Sequence, residues 1–506
     1  MQSPESELFV PPPGSDTGTV QHASPGVRVG DAGPAGRGLF ATADLRQGAV
    51  LVCEPPFAAV IHKAARTSRC HACFQLLPLN QVPCRGCSFG RFCSSACRDA
   101  ACAGVHGKHE CGSAWAAALP ADAVLAVRVA CGIQDAGPHS RALDVAQLQA
   151  HWPAGPERAQ EKVEQCVLAA VLAQCLATRS AASGIEAPTA AQLLRALRVV
   201  RTNCFAVTDD WAPQVYSGAE RGECTVATAV YATASLCNHS CLPSAHASFC
   251  VGGAVIIRAT APLLPAGTEV TIAYGPQQGQ EPSHVRQAHL RTSHAFTCAC
   301  DACCATDVAS RDAQLTGLKC LAGGECAGAV PFPSSPVRGG IGEGPRCSLC
   351  GAIQPVDAMA RAAAAAMHAK STLGRARETG DVAAAREALA ELLAHAHGDN
   401  RRVAEAWDVL AQALHGCGEH AEAQAACERS IAVLRAHYPS GCVALGHEDA
   451  KLAALALAAG DAATATEAAG RALTCFRAHY GASYPRVDEM LRVSGSSCDQ
   501  LLGPET

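Results

Sequence analysis

The run CHACFQLLPLNQVPCRGCSFGRFCSSACRDAACAGVHGKHEC, residues 70–111, sets Cys70 with Cys73, Cys84 with Cys87 and Cys93 with Cys97, then ends in His106, His109 and Cys111. Cysteines bunch in this way when something binds them. Thiolates in close pairs, completed by an imidazole and a last thiolate, suit tetrahedral zinc, and a set of this size holds two ions. Interleaved pairing puts Cys70, Cys73, Cys93 and Cys97 on one ion, with Cys84, Cys87, a histidine and Cys111 on the other.

Outward from this run the pattern changes. Residues 1–26 are rich in Pro, Gly, Ser and Thr without a period and read as a disordered tail. From 27 to 69 apolar residues alternate or form short blocks (Leu39-Phe40, Val50-Leu51-Val52, Ala58 to Ile61) between Gly and Pro, which predicts short strands. Residues 112–200 carry long Ala/Leu/Val runs at helical spacing, with Val163, Val167, Ala170, Val171 and Cys175 on one apolar face. Strand-like patterning returns over 201–276, at Asn203–Thr208 and Ser248–Ala273, with Pro265-Ala266-Gly267 as a turn. A strand-rich domain therefore carries two insertions, one cysteine-rich and one helical.

From 356 to 495 the chain is helical and repetitive. ERSIAVLRAHY (Glu428 to Tyr438) and GRALTCFRAHY (Gly470 to Tyr480) are separated by the same offset as the turn glycines Gly418 and Gly460. A fixed period of paired helices predicts a tetratricopeptide-like array, whose units bury their apolar faces by stacking. Residues 496–506 read as a C-terminal tail.

Composition narrows compartment and partners. The 506 residues include 30 cysteines and show no charged-then-apolar leader, so the cysteines are expected to be thiols and metal ligands in cytoplasm and nucleus, where disulfides do not persist. A hydrophobic fraction of 49% supplies a core, and the length allows about three domains at roughly 150 residues each. A net charge of -5 leaves no basic footprint for nucleic acid. The longest apolar helical runs, such as Cys166 to Ala177, are too short for a bilayer, so a soluble monomer is expected.

A second constellation follows the finger-like run: Asn238-His239-Ser240-Cys241, then Tyr274-Gly275-Pro276, then Cys298, Cys300 and Cys303. Ahead of it lie Gly36-Arg37-Gly38-Leu39-Phe40-Ala41 and Asn203-Cys204-Phe205. Their order resembles the SET methyltransferase domain, and the cysteine run resembles a MYND zinc finger through Cys97. Together, from about 27 to 495, the chain resembles a SET- and MYND-domain protein-lysine methyltransferase, most like the subgroup with tetratricopeptide repeats before its SET domain, although it lacks such N-terminal repeats. After Cys97 the pattern departs: the family's histidine falls at Gly107, flanked by His106 and His109. His106 is favoured because the stretch to Cys111 is one residue long.

The resemblance implies an α+β multidomain protein: a SET β-fold with inserted MYND finger (70–111) and helical insertion (112–200), a post-SET zinc segment (277–304) and C-terminal helical repeats. It implies that Gly36, Arg37 and Gly38 form the turn against which S-adenosylmethionine lies, that Asn203, Asn238 and His239 hold its polar edges, and that Tyr274 faces the transferring methyl as the catalytic residue. Phe296 would border the cofactor and, with Tyr274 and His294, wall the channel for the target lysine of a protein substrate. His294 stands where the family usually has tyrosine. Cys241, Cys298, Cys300 and Cys303 would bind a third zinc ion. The finger would bind peptides, for instance proline-containing ones, rather than catalyse. Over 305–355, Cys320, Cys326, Cys347 and Cys350 flank a Gly/Pro-rich span as in a zinc ribbon, bringing the expected zinc to three or four ions. His395, His415 and His447, in or beside helices, are expected to be solvated or packed. The rival reading is an adaptor without catalysis that binds peptides through finger and repeats.

Overall fold

The structure, a computed structural model, describes residues 22–135, 142–151, 158–209, 225–322, 326–332 and 344–495. The expected tails lie outside these residues except at 22–26, where Ala23 already bridges Val52.

The N-terminal strands are β1 (Val27–Asp31), β2 (Arg37–Ala41), β3 (Leu45–Arg46), β4 (Val50–Glu54) and β5 (Ala58–Ile61). The finger contributes β6 (Val82–Pro83), β7 (Arg91–Phe92) and helix α1 (Ser95–Ala103), and the insertion α2 (Ala114–Ala118), α3 (Ala121–Asp135), α4 (Ala142–Ala146), α5 (Ala159–Ser183) and α6 (Ala190–Asn203). Strands resume with β8 (Phe205–Thr208), β9 (Thr225–Val230), β10 (Asn238–His239), β11 (Ala245–Phe249), β12 (Val255–Ala259), β13 (Leu263–Leu264) and β14 (Glu269–Ile272).

These strands form small sheets rather than one large one. In the sheet ordered β1-β2-β14-β10, the pairs are antiparallel except β10 with β14, which is parallel. That exception matters, because it threads Asn238-His239 alongside the strand that runs into Tyr274. The sheets β11-β12-β4 and β5-β9-β8 are antiparallel. Their inward residues, among them Leu39, Leu51, Val52, Val60, Val230 and Ile257, share one core with α3 and α6. Removing each such side chain from water contributes about 1.5–3 kcal/mol.

Two expectations are corrected here. The apolar face read for α5 is turned to solvent: Val163 is 62%, Val167 57% and Val171 50% exposed, while Ala169, Leu172 and Leu176 are buried. Both faces are apolar at helical spacing, so periodicity alone leaves the phase open, and the longer leucines win the packing against the core. Asn203, read as the start of a strand, ends α6 instead, and β8 begins two residues later.

The chain continues through α7 (Ser283–His294), α8 (Asp301–Cys304), α9 (Val308–Thr316), β15 (Leu318–Lys319) and β16 (Ala329–Val330) to α10 (Val356–Thr379), α11 (Val382–His395), α12 (Arg401–Gly416), α13 (His420–His437), α14 (Val443–Ala459), α15 (Ala462–Tyr480) and α16 (Pro485–Ser494). Helices α10 with α11, α12 with α13 and α14 with α15 pack as neighbours around a second core built largely of alanine and leucine. Gly418 and Gly460 make the turns inside two of these pairs at φ 84° and 80°, a left-handed conformation that glycine adopts at no steric cost. The two repeated runs fall in α13 and α15. Helix α15 meets the strand domain directly: His246 on β11 stands edge-on to His479 and Tyr480, with ring centroids 5.1 and 5.4 Å apart.

Candidate active site and metal centres

In the finger, β6 and β7 and the N-terminus of α1 gather the first thiol set. Ser94 caps α1 by accepting the Cys97 N–H at 3.2 Å. Cys73, Cys93 and Cys97 then stand 3.6 Å apart in sequence, and Cys70 joins them, one ligand atom from each lying within 4.8 Å of the others. In the second set Cys84 Sγ lies 3.5 Å from Cys111 Sγ and 3.6 Å from His106 Nε2, which is 3.8 Å from Cys87 Sγ. Four sulfurs bonded to zinc at about 2.3 Å would lie about 3.8 Å apart at the corners of a tetrahedron, so both sets fit that metal. Among the described residues the cysteines are free rather than disulfide-bonded.

His106 reaches the second set through an unusual turn. Residues His106–Glu110 form a π turn closed by the Cys111 N–H bonding the His106 carbonyl at 2.7 Å. The wide turn takes up the one additional residue of this stretch. Gly107 makes it feasible, since a Cβ there would lie 1.7 Å from the Cys102 carbonyl oxygen. His109 is buried elsewhere, its Nε2 3.7 Å from Asp135 Oδ2 and without a hydrogen-bond partner.

The post-SET segment assembles likewise. Cys241 Sγ, at the end of the β10 segment, lies 3.6 Å from Cys303 Sγ and groups with Cys298 and Cys300. Arg286 on α7, 3% exposed, places Nη2 3.7 Å from Cys303 Sγ, a cation beside a thiolate cluster. A fourth group joins Cys320 to Cys350 at 3.7 Å and Cys326 to Cys347 at 3.8 Å. It abuts α11 through the Leu318–Ala396 bridge.

The glycine turn lies against the same sheet. Gly36 has φ 83°, and a Cβ on it would fall 2.4 Å from Gln149 Nε2. A Cβ on Gly38 would fall 2.6 Å from Glu269 Oε1 and 3.0 Å from Asn238 Nδ2. Asn238 Nδ2 donates to Glu269 Oε1 at 2.7 Å and to the Arg37 carbonyl at 3.2 Å, tying β10, β14 and the turn together. Arg37 donates to the Gln147 carbonyl at 2.9 Å, and Asn203 Nδ2 to the Gln149 carbonyl at 2.7 Å. The segment after α4 is thereby bound to the glycine turn. Buried Glu54 accepts the N–H groups of Ala232, Thr233 and Ala234 at 2.9 to 3.2 Å, fixing the loop that leads into Asn238.

Tyr274 is held at both ends. Its hydroxyl donates to the Cys237 carbonyl at 2.6 Å, and its N–H donates to His239 Nδ1 at 3.0 Å. Burial pushes the phenol well above its ordinary pKa, with the nearby Cys237 and Glu269 adding to the shift. Burial also lowers His239 to about 4, so its ring is neutral at pH 7. The ring centroids of His294 and Phe296 lie 4.9 and 6.4 Å from that of Tyr274. Between them Ala295 ends α7 at φ 62°, a left-handed conformation that costs a non-glycine residue roughly 1–2 kcal/mol and turns both rings toward Tyr274. His294 is lowered by burial and then by neighbouring His289.

The residues read from the sequence thus fall into one constellation and separate metal sets, apart from His109. Sequence reading passed over Glu269, Gln149, Glu54 and Arg286. Glu269 had a signal, a lone carboxylate in an apolar strand five residues before Tyr274; Gln149 and Glu54 meet the site only through long-range packing. His447 is packed, His395 is half-buried at the end of α11, and His415 is exposed, its Nδ1 3.2 Å from His420 Nδ1.

Among known proteins, the SET domain family model matches residues 36–275. The chain is 28% identical over 286 residues to the histone-lysine N-methyltransferase SMYD3 of Mus musculus and 27% identical to that of Homo sapiens, each match covering 56% of this chain and 62% of the relative. It is 37% identical over 78 residues to the protein-lysine N-methyltransferase SMYD4 of Homo sapiens, 15% of this chain and 10% of that protein. The chain spans about three fifths of the SMYD3 relatives it matches. With the glycine turn, the NHSC segment, Tyr274 and the interrupted finger in the same order, residues 36–275 form a SET domain, and the chain is similar to SMYD-type proteins.

Proposed function

We propose that this protein is an S-adenosylmethionine-dependent protein-lysine N-methyltransferase, transferring a methyl group to the ε-amine of a lysine in a protein substrate. The observation that carries the proposal is the convergence of Gly36, Gly38, Asn238 and Tyr274 on one sheet, with Tyr274 fixed through His239 and the Cys237 carbonyl. The cofactor, when bound, supplies an electrophilic methyl on a sulfonium. In-line displacement then requires a neutral amine held about 3 to 3.5 Å from that carbon. A free lysine has a pKa near 10.4, and desolvation in a narrow apolar channel disfavours its ammonium. Tyr274, His294 and Phe296 provide that wall: they orient the amine, exclude water and require no acid–base pair. Four zinc ions fit the cysteine groups and would act structurally.

The relatives' names support methyl transfer to lysine, histone lysine in one case. We further propose a monomer of cytoplasm and nucleus, a tetratricopeptide-like identity for the helical array, and a substrate groove between SET domain and array. Exposed Leu76 and Leu79 on the finger favour a second, compatible role in docking peptides, including proline-containing ones. Titration with S-adenosylmethionine in a calorimeter, followed by transfer of labelled methyl to a mixture of protein substrates, tests the reading. Binding with transfer to lysine supports it; no cofactor binding leaves the adaptor reading.

A further inference from the structure

The π turn that carries His106 is gripped by the SET domain. His106 Nδ1 lies 3.3 Å from Glu110 Oε2, and Glu110 is 1% exposed. Arg128 on α3 clamps that carboxylate with both ends of its guanidinium, Nε to Oε1 at 2.6 Å and Nη2 to Oε2 at 2.7 Å, while its Nη1 donates to the Ala59 carbonyl on β5. A second arginine, Arg179 on α5, donates to the Gly107 and Lys108 carbonyls at 2.8 Å and to that of Cys111.

A carboxylate buried this deeply is costly unless paired, and here it is paired on both sides. Bound through Nδ1–H to Glu110, the imidazole is fixed in the tautomer that leaves Nε2 free to face Cys84 and Cys87. The carboxylate also raises the basicity of that nitrogen. Arg128 in turn aims the carboxylate, and its remaining nitrogen ends on the middle of β5. That strand pairs with β9, which pairs with β8, the strand that begins two residues after Asn203.

We infer that His106, Glu110, Arg128 and the Ala59 carbonyl form a buried relay through which occupancy of the finger's second metal site controls the order of the β5-β9-β8 sheet. Glu110 and Arg128 are positioning residues. With the metal present, the relay holds both sides in register. When the metal leaves, His106 turns away, Glu110 and Arg128 lose their alignment, and β5 loosens. The inference rests on the zinc reading of the finger given above.

The full-length zinc-loaded protein is challenged with excess chelator while metal release and hydrogen exchange of residues 58–61 and 225–230 are followed together. In the unsubstituted protein, loss of the zinc that Cys84→Ser lacks should deprotect those strands. Glu110→Gln should release one equivalent faster, by about the 10- to 100-fold that removing such a carboxylate costs in metal affinity, with the other sites unchanged. Because Arg128→Met alone strands a buried carboxylate, the Glu110→Gln/Arg128→Met double variant serves as control. It should melt close to the parent yet release metal as fast as Glu110→Gln. Parental release rates in both variants, or strands that stay protected when the metal leaves, overturn the relay. If Cys84→Ser and the parent contain equal zinc, the finger reading falls, and the relay with it.

Discussion

His239 accepts the backbone N–H of Tyr274 through Nδ1 at 3.0 Å while its Nε2 lies 3.3 Å from Cys241 Sγ. One imidazole therefore spans the distance between the proposed catalytic tyrosine and the post-SET thiol cluster. Loss of the cluster should reach the tyrosine directly. Cys300→Ser is expected to lower zinc by about one equivalent and to abolish S-adenosylmethionine binding, because a structural site couples metal binding to folding. Elemental analysis and calorimetry check this; retained binding at normal thermal stability would separate the cluster from the cofactor site.

Asn238→Ala and Gly38→Val should each abolish cofactor binding, the first by cutting the tie between β10 and the glycine turn, the second by driving a side chain into Glu269 and Asn238. Tyr274→Phe removes only the hydroxyl that bonds Cys237. It should leave binding nearly intact and slow single-turnover transfer by about 100-fold through misplacement of the ring. Transfer at the parental rate would rule out the role given to Tyr274.

The histidine at 294 sets a pH expectation. From sequence its titration is expected near 6.5, but burial and His289 depress it, so the ring is neutral at pH 7 and gains a proton only below that value. The sign follows: activity should fall as pH drops through the depressed value and be insensitive to His294 above about 6.5. Any rise at higher pH then belongs to the substrate lysine. A pH series of single turnovers on His294→Tyr should lack the acid limb and show faster turnover; an unchanged limb would mean that His294 does not face the amine.

Gly107→Ala places a methyl against backbone that cannot yield. Overpacking of this kind costs about 1–3 kcal/mol and more when backbone must shift. The variant should lose the zinc held by Cys84, Cys87, His106 and Cys111 and retain that held by Cys70, Cys73, Cys93 and Cys97, read by stoichiometry against the parent.

Much of the site lies in local chemistry that a single sequence displays. Close cysteine pairs, a glycine turn, and an NHSC segment ahead of a tyrosine are short-range signals, and their spacing follows from bond geometry. The phase of α5 is different in kind. Valine and leucine faces alternate at the same period, and only the partners on α6 and the core decide which is covered. Glu54 and Gln149 were silent for the same reason: each acts on a residue far along the chain, and the bond exists only after the sheets have closed.

The wide turn at His106 has one more consequence, which concerns chain length. In an α-helix each residue advances the direction of its side chain by about 100°, so an added residue swings everything after it out of phase. Here the surplus is taken up in the single closure from Cys111 to His106, and Cys111 Sγ still lies 3.5 Å from Cys84 Sγ. Segments without such a slack turn, such as the short span from Cys84 to Cys87, have nowhere to put an extra residue. The arc between α1 and Cys111 is therefore one place where the finger accommodates a change of length, and shortening it by one residue would convert the π turn to an ordinary helical turn with the ligands still converging.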